Sequence, residues 1–161
     1  DGSITSVTGA VLSAQGADCP PIGLWSPEGI VGVAHAGWRG LVGGVVAAAA
    51  ASMRSAGAST VFAALGPCIH PESYEFGSAD LDQVVSVLGP TVIGRTSAGR
   101  LGLDVPAGVR AACVQASVVF DTDLDCCTSS TSWFSHRVRR DAGRHAVVVV
   151  IDEPSGWSSR G

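Results

Sequence analysis

The sequence predicts an α+β fold, a mixed β-sheet flanked by helices. Three observations predict it. Two strand-like segments, 22–25 and 30–35, are separated by only four residues, a spacing that makes them antiparallel neighbours. Strand and helix patterns then follow one another without the strict alternation of a parallel sheet. The chain has 161 residues, 46% of them hydrophobic and 15% charged, which is enough for one apolar core and too little for two. Residues 1–153 are therefore expected as one domain, with 154–161 a loose tail.

The elements follow in order. Residues 11–14 read as a short strand. Between 22–25 and 30–35 stands Ser26-Pro27-Glu28-Gly29, with serine first, proline second and glycine fourth, the preferences of a type I turn. Residues 40–56 are alanine-rich with Gly57 just beyond, which predicts one buried helix with a glycine stop. A strand over 61–65 runs into Gly66-Pro67, which breaks it into a loop. Residues 78–88 predict a helix with Ser78 as its cap, and 105–115 a second, opened by Asp104 and Pro106. The stretches 118–120 and 146–151 read as strands, the latter a continuous β-branched run suited to a sheet interior.

Composition excludes several functions. A net charge of -4 argues against a general nucleic-acid binder. The longest apolar run, 41–53, falls short of the roughly 20 residues of a membrane span. Nothing at the start resembles a secretion signal, so a cytoplasmic location is expected, and the opening on Asp1 rather than methionine suggests a leading segment ahead of it. Five cysteines, with Cys126 and Cys127 adjacent, make a disulfide framework a poor reading and leave free thiols or a metal ligand among them.

The hairpin carries the candidate chemistry. If the turn places Trp25 opposite Ile30, Cys19 comes beside His35 or its neighbour. Cross-strand Cβ atoms about 5 Å apart suit two ligands of one ion, bound at about 2.3 Å from sulfur and about 2.0 Å from nitrogen. Asp18 could orient a ligand or accept a proton, and the segment from Ala36 to Gly40, small residues around Trp38 and Arg39, suits an anion with Arg39 as a forked cation. Spacing alone favours an ordinary buried thiol and a hydrogen-bonded core histidine over a pair of ligands.

Several blocks in order, Ala17-Asp18-Cys19-Pro20, Ala34-His35-Ala36-Gly37-Trp38-Arg39-Gly40, Gly66-Pro67-Cys68-Ile69, Tyr74-Glu75, Cys127-Thr128 and Phe134-Ser135-His136-Arg137, make the sequence similar to the YfiH, or laccase-domain, family of purine nucleoside phosphorylases, which includes a peptidoglycan editing factor. The resemblance covers residues 1 to about 151. It implies a YfiH-like sandwich and a zinc enzyme that splits adenosine, inosine, guanosine and methylthioadenosine with phosphate and also deaminates adenosine. It further implies Cys19 and His35 as zinc ligands, with a third from an earlier histidine in a Gln-Val-His-Gly-like motif that these 161 residues do not contain.

Around that pair, Arg39 and then Arg137 are the candidates for phosphate, while His70 and Tyr74 are candidates to line the substrate pocket. Cys68, Cys113, Cys126 and Cys127 read as structural, and His136 and His145 as solvated or salt-bridged. Expected partners are a nucleoside and phosphate, with no nucleic acid and no membrane. The rival readings are a copper polyphenol oxidase, disfavoured by only four histidines; a cysteine hydrolase of cell-wall precursors with Cys19 as nucleophile and His35 as base; and a binding module without turnover.

Overall fold

A computed structural model describes residues 1–123 and 126–152; the expected tail at 154–161 lies outside them. Strands β1 (Gly2–Thr5), β3 (Pro21–Trp25), β4 (Val31–His35), β5 (Phe62–Leu65) and β8 (Val119–Asp123) form one sheet in the order β1-β4-β3-β5-β8. All neighbours are antiparallel except β5 and β8, so the sheet is mixed as predicted.

Alternation of side chains along these strands divides two layers. One face presents Ile22, Leu24 and Ala34 to helices α2 (Val45–Ser55) and α4 (Val105–Gln115), whose Val46, Ala50, Met53, Val109 and Cys113 are buried against it. Each large aliphatic side chain so removed from water contributes about 1.5–3 kcal/mol. The other face is covered by an antiparallel ribbon of β2 (Val11–Gly16) and β9 (His145–Val150). Val147 and Val149 of the ribbon lie over Gly23, leaving 3.2 and 3.4 Å to the place of a β-carbon there.

Strand β9 corrects the reading of a sheet-interior strand. It pairs with β2 in a two-stranded ribbon, so alternate residues, Val148 and Val150, stand at the surface. The single helix expected over 40–56 is also divided. A short α1 (Trp38–Val42) ends at Gly43, and Gly44 adopts a left-handed φ of 77° before α2 begins. Helix α3 (Ser78–Leu88) has the expected span, yet Gly77 is its cap residue and Ser78 its first helical residue. Helix α4 matches expectation: the Asp104 side chain accepts the Ala107 N–H at 2.8 Å.

Elements that the sequence pattern did not reveal complete the edge. Strands β6 (Ile93–Arg95) and β7 (Leu101–Leu103) form a small antiparallel pair, short 3-10 turns occupy Pro71–Ser73 and Pro90–Val92, and α5 (His136–Arg139) is a single turn. No helix among the described residues is long and apolar enough to cross a membrane.

Candidate active site

The β3–β4 hairpin forms, but its register differs by one residue from the expected one. Gly29 donates its N–H to the Ser26 carbonyl, as a type I turn requires, and takes a left-handed φ of 75°. That residue is a bulge, so Ser26 pairs with Ile30 and Trp25 faces Val31 rather than Ile30. Pro21 consequently faces His35, and Cys19 lies beyond the ladder in the segment between β2 and β3.

Cys19 and His35 nevertheless converge. The Cys19 Sγ lies 3.1 Å, and the His35 Nε2 3.4 Å, from the point a β-carbon on Gly37 would occupy. The thiol and the imidazole thus share a space that exists because residue 37 has no side chain. Burial pushes the Cys19 thiol up from its ordinary pKa; the adjacent Asp18 carboxylate adds to this and Arg137 opposes it. Burial holds the His35 ring below its ordinary value, so the neutral, ligating form prevails at neutral pH.

Asp18 binds this segment to the far end of the chain. Its backbone φ is 125°, a left-handed value that side chains rarely adopt, and the residue is 9% exposed. One carboxylate oxygen accepts the hydroxyls of Thr128 at 2.8 Å and Ser135 at 2.7 Å, and the other accepts the backbone N–H of Arg137 at 2.7 Å. Ser135 Oγ in turn accepts the Val138 N–H and caps α5. The Asp18 carbonyl accepts the Ile69 N–H, which draws in the loop after β5.

These elements enclose a cleft of two adjoining lobes. One, of about 200 Å³, is walled mainly by apolar side chains, Pro20, Trp38, Ile69 and Val105 among them, with Cys19, Tyr74 and Arg137 at its border. The other, of about 430 Å³, is lined by Cys19, His35, Trp38, Arg39, Tyr74 and Arg137. The two arginines lie against aromatic faces, Arg39 at 4.2 Å from the Trp38 ring centre and Arg137 at 4.9 Å from that of Tyr74.

Of the residues singled out from sequence, Cys19, His35, Arg39, Tyr74 and Arg137 thus meet in one place. His70 does not: it precedes the 3-10 turn at Pro71–Ser73 and lines neither lobe. Glu75 pairs with Arg100 at 2.8 Å on the far side of Arg137. Trp38 and His136 also line the smaller lobe; His136 is exposed, as expected of a solvated side chain, yet borders the site. The Trp38 platform was detectable as an aromatic between Gly37 and Arg39; His136 carried no signal beyond its place before Arg137. His145 is buried rather than solvated, and its Nε2 donates to the Pro67 carbonyl at 3.0 Å.

For a metal ion, the Cys19 sulfur and His35 nitrogen make a fitting pair of donors for zinc. Among the described residues no group of three or more histidine, cysteine, aspartate or glutamate side chains is arranged to hold a metal ion, so Cys19 and His35 offer two donors and not a complete site.

The model of the family described as "Multi-copper polyphenol oxidoreductase laccase" matches residues 1–152. The chain belongs to this laccase-domain family. Over 156 residues, 94% of this laccase-domain chain and 64% of the relative, it is 35% identical to the purine nucleoside phosphorylase SCO2081 of Streptomyces coelicolor. The crystal structure of YlmD from Geobacillus stearothermophilus superposes with a TM-score of 0.83 at 32% identity, covering 95% of this chain and 61% of that one. The hypothetical protein YfiH of Bacillus licheniformis gives a TM-score of 0.84 at 26% identity, covering 94% and 61%. The YfiH-like fold expected of a laccase-domain protein is the fold observed, and the chain spans a little under two-thirds of the length of these relatives.

Proposed function

We propose that the chain carries the active site of a zinc-dependent purine nucleoside phosphorylase in the cytoplasm, with adenosine deamination as a second activity. The observation that carries this reading is the convergence of Cys19 and His35 on the wall of a cleft that also holds two arginines. The name of the Streptomyces coelicolor relative supports the reaction class.

In this reading Arg39 and Arg137 hold phosphate, their guanidinium planes kept in place by Trp38 and Tyr74. The smaller lobe receives the purine between apolar walls, and Trp38, common to both lobes, offers it an aromatic face. Phosphorolysis needs the phosphate oxygen held close to the ribosyl carbon, and adjoining lobes bring the two reactants together. A zinc ion held by Cys19 and His35 would supply a Lewis acid beside the reacting groups. The family resemblance implies a third ligand besides these two.

The cysteine-hydrolase reading needs a thiol of depressed pKa, whereas burial moves that of Cys19 the other way. The test is incubation of the zinc-supplemented protein with adenosine and phosphate, with adenine, inosine and hypoxanthine separated afterwards. Adenine formed only when phosphate is present supports phosphorolysis, and inosine supports deamination. Absence of all three products, together with tight binding of inosine, would instead select a binding module.

A further inference from the structure

Asp18 is the best-connected side chain beside the cleft, and its connections do not run toward the cleft. Among the described residues, the three donors to its carboxylate come from one distant segment, Thr128, Ser135 and the backbone of Arg137. The segment is otherwise irregular, a run of turns closed by the four-residue α5. Other bonds tie the loop down on either side, His136 N–H to the Ala17 carbonyl at 3.3 Å and Ser135 N–H to the Asp141 carboxylate at 2.9 Å, but neither holds Arg137 itself. The Asp18 carboxylate holds the Arg137 N–H at 2.7 Å, while Ser135, bound to the same carboxylate, caps the turn on which Arg137 lies. The backbone strain at Asp18, φ 125°, is kept in a buried position where glycine would be free of it.

We infer that Asp18 is a positioning residue for anion binding: its carboxylate sets the Arg137 backbone so that the guanidinium lies against Tyr74 and faces the lobe shared with Arg39. The inference deepens the phosphorylase reading and rests on its assignment of phosphate to Arg39 and Arg137. It makes a prediction of opposite sign to the obvious one. Removing a negative charge beside an anion site by itself tightens anion binding. Loss of positioning weakens it.

The test is calorimetric titration of the full chain and its Asp18→Asn, Arg137→Gln and doubly substituted variants, with inorganic phosphate and separately with inosine. Asp18→Asn is expected to weaken phosphate binding about tenfold, and at least five times more than it weakens inosine binding. The double variant is expected to bind phosphate no more weakly than Arg137→Gln alone, because the two residues act through one guanidinium. Unchanged or tighter phosphate binding by Asp18→Asn, or losses that add in the double variant, overturns the inference while leaving the phosphorylase reading standing. A parent protein that binds no phosphate overturns both. Should Asp18→Asn not fold, Thr128→Val serves, since it removes one donor to Asp18 with little change of shape. A several-fold weakening for phosphate supports the inference, and parental affinity overturns it.

Discussion

Cys19 and His35 meet across an empty position: the sulfur and the ring nitrogen lie 3.1 and 3.4 Å from where a β-carbon of Gly37 would stand. Alanine at residue 37 would put a methyl group between the two donors. Its backbone would accept the change, because φ at Gly37 is -55°. Gly37→Ala is therefore expected to lower zinc affinity at least tenfold while the unfolding midpoint of the metal-free protein moves by no more than about 2 °C, an effect of under about 1 kcal/mol. Chelator competition and a thermal scan measure the two quantities.

A ligand that binds only the folded state raises its stability. Zinc should therefore raise the thermal midpoint of the parent protein, and a strong chelator should reverse the gain. Cys19→Ala and His35→Ala should lose the response. A zinc-dependent rise that persists in both variants would locate the metal elsewhere.

Cys113 gives a pH dependence away from the cleft. It is fully buried on α4, and burial pushes its thiol from 9.0 up to about 11. The unfolded chain releases that proton at the ordinary value while the folded chain retains it, so the contribution to stability is constant below pH 9 and falls as pH rises toward 11. Urea unfolding between pH 8 and pH 11 should show the decline, and Cys113→Ala should show a shallower one.

Asp104 caps α4 through its bond to the Ala107 N–H. Asp104→Ala is expected to cost about 1 kcal/mol and to lower the thermal midpoint by roughly 2–4 °C. Zinc affinity should stay as in the parent, because Asp104 lines neither lobe. A change in zinc affinity would link α4 to the cleft more closely than the packing suggests.

The sequence revealed what depends on near neighbours. Asp104 before Pro106 marked α4, and Ser26 to Gly29 marked the hairpin, because each signal is complete within four residues. The register slip was not legible, since it turns on whether Gly29 joins the ladder or bulges out of it, and either choice satisfies the same turn. The division of the alanine-rich stretch follows from Gly44 adopting a left-handed conformation, where helix propensity summed over the segment favoured continuity. Strand register pairs Cys19 with His35 in the sequence, yet they meet with Cys19 outside the ladder, in the connection between β2 and β3 where Asp18 takes a φ of 125°. The sequence suggests for Asp18 the orienting of a ligand or the acceptance of a proton, and not the tie to the far segment. The partners in that tie, Thr128, Ser135 and Arg137, lie 110, 117 and 119 residues away, beyond the reach of any local pattern.

X-ray absorption at the zinc edge of the zinc-loaded protein reads the pairing of Cys19 and His35 on one ion without intermediary. That pairing predicts one sulfur scatterer at about 2.3 Å together with nitrogen or oxygen at about 2.0–2.1 Å, the sulfur shell vanishing in Cys19→Ala and the imidazole signal weakening in His35→Ala. A spectrum without sulfur, or one left unaltered by Cys19→Ala, would contradict it.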